Sequence, residues 1–241
     1  MGRAALMLAL GTLVARLVRS GGYSSFVQQR MQIPLIFAAV MLLVFGVIEA
    51  IGAYRQDSAE PSKSRESISP TVGWLLATPL LVLVAVAPTS LGAAAAQRAE
   101  PLTPTERNEP QIEPVDDSNG PAEMRVYEFL SRALWDDTGT LTGKQIVLEG
   151  IVVNDDEISD GFRLTRFAVS CCAADGLPLQ VALRDLDQSF EDDTWVRATV
   201  VWRPPPEGGY QAEGAPEVVE ADVIGIELIE DPPDDPYETP F

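Results

Sequence analysis

The 241-residue sequence contains no histidine and only two cysteines. Without histidine, one chain cannot build a Ser-His-Asp triad or the histidine-containing zinc sites. Two cysteines also exclude a site of four thiolates. Basic residues are few: 17 Lys and Arg stand against 36 Asp and Glu, which gives a net charge of −19. Such a chain is repelled by phosphate groups, so we expect no nucleic-acid partner.

The first hundred residues contain three long apolar segments. Residues 33–54 carry one charge, residues 70–97 carry none, and residues 4–18 are apolar apart from Thr12 and Arg16. A helix that crosses the hydrocarbon core needs about 20 mainly apolar residues. We therefore predict a membrane region over residues 1–99. Its three spans are expected at about 3–20, 33–54 and 71–92.

The first predicted span is short, and a cleaved signal peptide is the alternative. Arg16 and Arg19 lie where cleavage would occur, which favours a retained helix. Glu49 is the one acidic residue within a predicted span. It marks either an ion pathway or partner contact, or a helix end at which it pairs with Arg55. The basic residues of the loops are divided equally between the two sides, so they give no orientation.

The composition changes after residue 99. Residues 101–241 hold 31 of the 36 acidic and 9 of the 17 basic side chains, a net charge of −22. Residues 100–120 are rich in Pro, Glu and Asp, as flexible linkers are, and residues 230–241 are similar. We predict an acidic linker, a soluble domain over residues 121–229 and a disordered acidic tail.

The soluble domain has one helix pattern followed by five short strand patterns. The connections are too short for crossover helices, so the strands indicate an antiparallel barrel or sandwich. Five strands, with Gly150 at a possible bulge position in the first, favour a partly open OB-like barrel. The predicted fold is thus an α-helical membrane region plus a small all-β, OB-like barrel domain with one preceding helix. The predicted strands are 146–153, 162–170, 179–183, 195–202 and 223–229.

The adjacent cysteines are the best candidates for chemistry. A turn-rich segment follows them, and a turn is what would let both thiols face one ligand. Cys171, Cys172 and Asp175 could bind a metal such as zinc, whose fourth ligand must come from water, another acid, a second copy of the chain or a partner protein. The pair could also form a strained, reducible disulfide, or be buried as small apolar side chains. Arg166, on the preceding strand, either lowers a thiol pKa or forms a surface ion pair.

Several stretches are similar to the bacterial YcgQ-like family of permease subunits. The most specific is Arg166-Phe-Ala-Val-Ser-Cys-Cys-Ala-Ala-Asp175, and Leu141-Thr-Gly-Lys-Gln-Ile-Val-Leu-Glu-Gly150 also resembles the family's entry into its soluble domain. The resemblance implies a membrane protein that works beside a separate multi-span permease. It implies site roles for Arg166, Cys171, Cys172 and Asp175, and a link to zinc homeostasis.

Our leading hypothesis is therefore a non-enzymatic accessory subunit of a membrane permease, with a divalent metal such as zinc as its ligand. We expect several spans in the plasma membrane, lipid contacts through those spans, and a soluble domain outside the cytoplasm. A homo-oligomer is one arrangement that would complete the metal site. The alternatives are a membrane-tethered thiol redox protein and a plain OB-like protein-interaction module.

Overall fold

The computed structural model describes residues 2–56, 91–104, 114–118, 120–186, 188–206, 209–211, 217–230, 233 and 235–239. The chain divides into two compact units. The helical unit comprises Met1–Tyr23 and Arg30–Ser90, and the barrel unit comprises Ser24–Gln29 and Leu91–Phe241. A short segment from the N-terminal region, Ser24–Gln29, thus belongs with the barrel.

The helical unit contains α1 (Gly2–Arg19) and α2 (Gln32–Gln56), which pack along each other. Glycines permit the close packing: a Cβ at Gly11 would lie 2.9 Å from Leu43 Cγ, and one at Gly46 would lie 2.8 Å from Leu8 Cγ. Within the described residues, the helical stretch Gln29–Arg55 is the one that is long and apolar enough, by length and composition, to cross a membrane.

That stretch corresponds to the predicted span at 33–54. The predicted span at 3–20 is helical and long enough, but with three arginines among its 18 residues it is not apolar enough by the same measure. The span predicted at 71–92 lies, except for its last two residues, outside the described residues. The three-span arrangement therefore stays a prediction.

The barrel unit is built around five strands that close into a barrel, with two short strands beside them. The strands are β1 (Ala122–Glu123), β2 (Gln145–Val153), β3 (Phe162–Ala168), β4 (Leu177–Arg184), β5 (Trp195–Arg203), β6 (Val219–Leu228) and β7 (Tyr237–Glu238). In the barrel each strand pairs with the next in the order β2, β5, β6, β4, β3 and back to β2, and every pair is antiparallel except β4 with β6. The short strands β1 and β7 extend the sheet by parallel pairing with β2 and β3.

The prediction of five barrel strands after one helix is confirmed, but the barrel is closed rather than partly open. Closure rests on the pairing of Ile151 with Thr165 and its two neighbouring pairs. Gly150 is not at a bulge, since its register with Val196 is regular. A Cβ there would lie 2.8 Å from the Thr165 carbonyl oxygen, so the glycine is what lets β2 approach β3 closely.

Helix α4 (Val126–Trp135) packs against β3, β4 and β6. Its buried face comprises Val126, Phe129, Leu130 and Ala133. The phenyl ring of Phe129 is 0% exposed, and its burial contributes about 2–3 kcal/mol to folding. Alternate residues of the strands supply the rest of this core, among them Ile146, Leu148, Val152, Phe162, Leu164, Leu179, Val181, Leu183, Val196, Ala198, Val200, Val219 and Ala221.

The predicted linker and tail both contribute to the barrel unit. Leu102 packs against the main core and its N–H donates to the Pro178 carbonyl at 2.7 Å, while Val115 is buried in that core. Residues 230–241 were expected to be disordered, yet Tyr237 and Glu238 form β7 and are both buried. In both segments, single apolar residues among prolines and acids bury themselves against a barrel formed elsewhere in the chain.

Another short helix precedes these elements. It is α3 (Ala93–Ala96), and its Ala93 N–H donates to the carboxylate of Asp193 at 2.5 Å. Ala93 and Ala96 pack with Phe167, Val169 and other residues in a small second core on the outer side of β2 and β3. This second core explains why the end of β2, residues 151–153, is buried on both faces.

Candidate functional site

The loop between β3 and β4 carries the two cysteines and is shaped by its own aspartate. Cys172 is extended and precedes a 3-10 turn over Ala173–Asp175. The turn brings the Asp175 carboxylate back over the start of the loop. There it accepts hydrogen bonds from the Ser170 N–H at 3.0 Å and the Cys171 N–H at 2.8 Å. A carboxylate that binds two backbone donors holds the loop in one conformation.

The two thiols lie side by side. The Cys171 and Cys172 Sγ atoms are 3.7 Å apart and form no disulfide. One ligand atom from each of Cys171, Cys172 and Asp175 lies within 4.8 Å of the other two. Cys171 and Asp175 are exposed and Cys172 is half-buried, so the group is open to solvent. The turn expected from the sequence is present, and the thiols and the carboxylate converge on one point.

The contact between the Cys171 thiol and the Asp175 carboxylate changes the pKa of both groups. The hydrogen bond to Asp175, together with the neighbouring Cys172 thiol, raises the pKa of Cys171 to about 11. Burial acts to raise the pKa of Asp175, but the Cys171 thiol and backbone N–H groups outweigh it and hold that pKa below its usual range. At neutral pH the cluster is therefore a protonated Cys171 thiol beside a carboxylate.

Ser24–Gln29 is hydrogen-bonded to the backbone of this loop. Val27 and Cys172 form an antiparallel β-bridge. On one side of it the Gln28 N–H donates to the Cys171 carbonyl at 3.2 Å, and on the other the Ala173 N–H donates to the Phe26 carbonyl at 2.7 Å. We refer to Ser24–Gln29 as the docked segment. Sequence reasoning missed this contact because backbone hydrogen bonds leave no side-chain pattern.

Two further elements hold the same region. The Tyr237 hydroxyl of β7 donates to the carbonyl of Ser25 in the docked segment. Leu91 lies over the loop so closely that a Cβ at Gly176 would be 2.3 Å from Leu91 Cδ1. Only glycine fits there without displacing the leucine. The thiol loop is thus supported by the docked segment, by Leu91 and indirectly by β7.

Arg166, expected near the thiols, points into a different environment. Its Nε lies 3.8 Å from Glu238, its Nη2 donates to the Asp235 carbonyl at 3.0 Å, and its guanidinium carbon lies 5.0 Å from the Trp195 ring centre. The side chain is only 10% exposed, and burial lowers its pKa, while Glu238 opposes that shift. Its described contacts leave out both cysteines, so Arg166 is part of a buried ion pair rather than a thiol activator or a surface pair.

The Glu238 carboxylate has a second role. Its two oxygens accept the Val126 and Tyr127 N–H groups at 2.8 Å each, which caps the N-terminus of α4. A surface cavity of about 290 Å³ lies here, lined in part by Glu123, Glu149 and Arg166. No sequence pattern indicates this cap, because the two partners are more than one hundred residues apart.

Glu49 lies exposed on α2, within two turns of its C-terminal end at Gln56. Arg55 is six residues further on, and helix neighbours are three or four apart, so the spacing does not favour the ion pair. Glu49 has no ion pair within the described part of the chain. Its intramembrane role therefore stays a prediction.

Residues 122–211 match the family model described as the DUF1980 C-terminal domain. The match runs from β1 past the end of β5 and includes Arg166, Cys171, Cys172 and Asp175, but it covers fewer than half of the 241 residues. No curated protein and no solved structure matches the chain. The YcgQ-like resemblance is finer than this finding and stays a prediction. The match over residues 122–211 supports a DUF1980-family protein.

Proposed function

We propose that this protein is a membrane-anchored, non-enzymatic accessory subunit that binds a thiophilic divalent cation such as Zn²⁺ and works beside a multi-span permease. The observation that carries the proposal is the convergence of Cys171, Cys172 and Asp175 within 4.8 Å on one exposed, reduced loop. Thiolate and carboxylate are both ordinary zinc ligands.

The separation of the sulfur atoms fits a shared zinc ion. With Zn–S bonds of about 2.3 Å and a tetrahedral angle, two sulfurs on one zinc are about 3.8 Å apart. The Sγ atoms of Cys171 and Cys172 are already 3.7 Å apart. The cation would therefore displace thiol protons without a large movement of the loop.

The site suits reversible binding better than a structural role. A structural zinc site is usually closed by four protein ligands, and this cluster provides three from an exposed loop. The surrounding region is strongly acidic, with a net charge of −22 over residues 101–241. That charge raises the local concentration of cations, which favours capture and transfer.

The thiol redox alternative is less well supported. A redox-active cysteine needs a low pKa, because the thiolate is the nucleophile. Here the contact with Asp175 raises the pKa of Cys171 to about 11. A bound cation would itself displace the thiol proton, whereas a thiol–disulfide exchange partner would not. The plain interaction module rests on the OB-like connectivity of the barrel, and barrels of that kind bind many classes of partner. It offers no role for the preformed thiol cluster.

Anchoring is supported by the apolar stretch Gln29–Arg55. We propose that it and the predicted spans place the chain in the plasma membrane, where they would contact the permease. The soluble domain is proposed to lie outside the cytoplasm, where it would meet the cation before transport.

The metal proposal is tested on the full chain in detergent. After removal of bound metal by a chelator, Zn²⁺ affinity is measured by competition, and Co²⁺ is used for its thiolate absorption bands. We expect one ion per chain, loss of binding in the double variant Cys171→Ser, Cys172→Ser, and weaker binding in Asp175→Asn. Asp156→Asn, an exposed aspartate elsewhere on the barrel, is the matched control. Wild-type affinity in the double cysteine variant would refute metal binding at this loop.

The permease proposal needs a separate experiment. The tagged protein, extracted from its native membrane in a mild detergent, should co-purify with a multi-span membrane protein. Failure to recover one after cross-linking as well would remove the accessory role, while the metal site would stand on its own measurement.

A further inference from the structure

Gln28 of the docked segment has a buried side chain with an unused acceptor. The residue is only 5% exposed, and its Oε1 atom has no hydrogen-bond partner within the described structure. A buried amide oxygen without a partner destabilises a fold by about 1–3 kcal/mol. Such a group needs a partner, which can be a water molecule or an ion.

The β-bridge places Gln28 beside the thiols. The hydrogen bonds on either side of Val27 and Cys172 identify them as the closely spaced, non-hydrogen-bonded kind of antiparallel pair. Gln28, which follows Val27, therefore lies opposite Cys171, which precedes Cys172. Side chains of opposed residues leave the same face of such a pair, with Cβ atoms about 4.5–5.5 Å apart.

We propose that Gln28 completes the cation site, with its Oε1 as the fourth donor to the ion held by Cys171, Cys172 and Asp175. The inference rests on the proposed metal-binding function. It accounts for two observations together: three ligands where a tetrahedral ion takes four, and a buried oxygen that lacks a partner. The fourth ligand then comes from the connection between α1 and α2 of the same chain.

A donor on the docked segment links occupancy of the site to the membrane helices. Only three residues separate Gln28 from Gln32, where α2 begins. The ion would fasten the docked segment to the thiol loop, in addition to the two backbone hydrogen bonds that already join them. Release of the ion would loosen the connection between α1 and α2, which is a way to report occupancy to a partner in the membrane.

The experiment compares adjacent glutamines in the full chain in detergent. Gln28→Ala should weaken Zn²⁺ binding by about 10- to 100-fold. Gln29→Ala, which changes the exposed neighbour, should stay within about twofold of wild type. Hydrogen exchange of a peptide covering residues 24–29 should slow when Zn²⁺ is added to wild type. In Gln28→Ala it should not slow, even at saturating Zn²⁺.

A variant of similar side-chain volume distinguishes loss of a metal ligand from loss of the folded structure. Gln28→Met keeps the packing and removes the unpartnered oxygen, so the metal-free protein should be at least as heat-stable as wild type, while Zn²⁺ affinity falls. A merely structural glutamine would give the opposite result in the metal-free protein.

The outcomes separate the two proposals. If the cysteine variants lose binding while Gln28→Ala and Gln28→Met bind like wild type, the fourth-ligand inference is wrong and the proposed function stands. If wild type binds no Zn²⁺ or Co²⁺, the proposed function fails and the inference fails with it.

Discussion

Replacing Glu238 with alanine should destabilise the barrel unit far more than replacing an exposed glutamate in the same part of the chain. Its carboxylate is 4% exposed, caps α4 through the Val126 and Tyr127 N–H groups, and lies 3.8 Å from Arg166 Nε. One substitution therefore removes a helix cap and the anionic partner of a buried guanidinium. A disordered tail would tolerate the same change.

The magnitude follows from these two contacts. Loss of an N-cap destabilises a protein by about 1 kcal/mol. Removal of one partner from a buried ion pair destabilises it by about 3–5 kcal/mol, because the remaining charge stays buried. The two effects share one carboxylate and do not simply add, so we expect about 3–5 kcal/mol in total. For a unit of this size, that lowers Tm by roughly 6–20 °C.

Thermal unfolding of the full chain in detergent, followed by tryptophan fluorescence, measures this effect, since Trp195 lies against Arg166. Glu230→Ala is the control, because Glu230 is exposed and lies in the same C-terminal segment. Glu238→Gln should also lose stability, because Arg166 then keeps a buried charge without an anionic partner. Adding Arg166→Met to Glu238→Gln should recover part of that stability, since no buried charge is left. A Glu238→Ala protein within about 0.5 kcal/mol of the Glu230→Ala control would refute this account of the tail.

Three other predictions concern single sites. Gly150→Ala should destabilise the barrel by about 1–3 kcal/mol, because its Cβ would lie 2.8 Å from a backbone oxygen. Gly225→Ala is the control and should not destabilise the barrel in this way, because the space around its Cβ is open. Chemical denaturation measures the free energy of unfolding of both variants. Burial acts to raise the pKa of Asp136, but threonine hydrogen bonds lower it from 3.8 to about 2. Its stabilising effect is therefore present above pH 4 and lost as the pH falls toward 2, so Asp136→Asn should lower Tm at pH 7 and make little difference near pH 2. Because Asp175 raises the pKa of Cys171, Asp175→Asn should speed alkylation of Cys171 by iodoacetamide at pH 8, as followed by mass spectrometry; an unchanged pH–rate profile would contradict the assigned hydrogen bond.

The sequence predicts the parts of this protein that depend on neighbouring residues. The five barrel strands are short, largely apolar or alternating runs between turn residues, so their pattern is local. The thiol–carboxylate cluster is equally local, since Cys171 and Asp175 are four residues apart and one turn brings them together. The helix before the barrel is predicted from the sequence as well, and it lies at Val126–Trp135.

The missed features all join distant parts of the chain. Arg166 lies on the strand that leads into the thiols, but position along a strand does not identify what packs against its side chain, and Glu238 and Trp195 pack there. Leu102 and Glu238 lie in acidic, proline-rich segments whose composition is typical of disorder. Their order comes from a surface that other strands create, and composition carries no information about that surface.

The bridge between Val27 and Cys172 constrains how the chain crosses any membrane that α2 enters. Val27 lies between α1 and α2, and Cys172 lies in the barrel unit, so the two must remain on one side of the bilayer. A chain that leaves that side at Gln32 has to return to it before Leu91, where the barrel unit resumes. If α2 crosses a bilayer, the number of crossings between those residues is therefore even. Adding or deleting a single span there would carry the thiols to the opposite side from the segment that binds them.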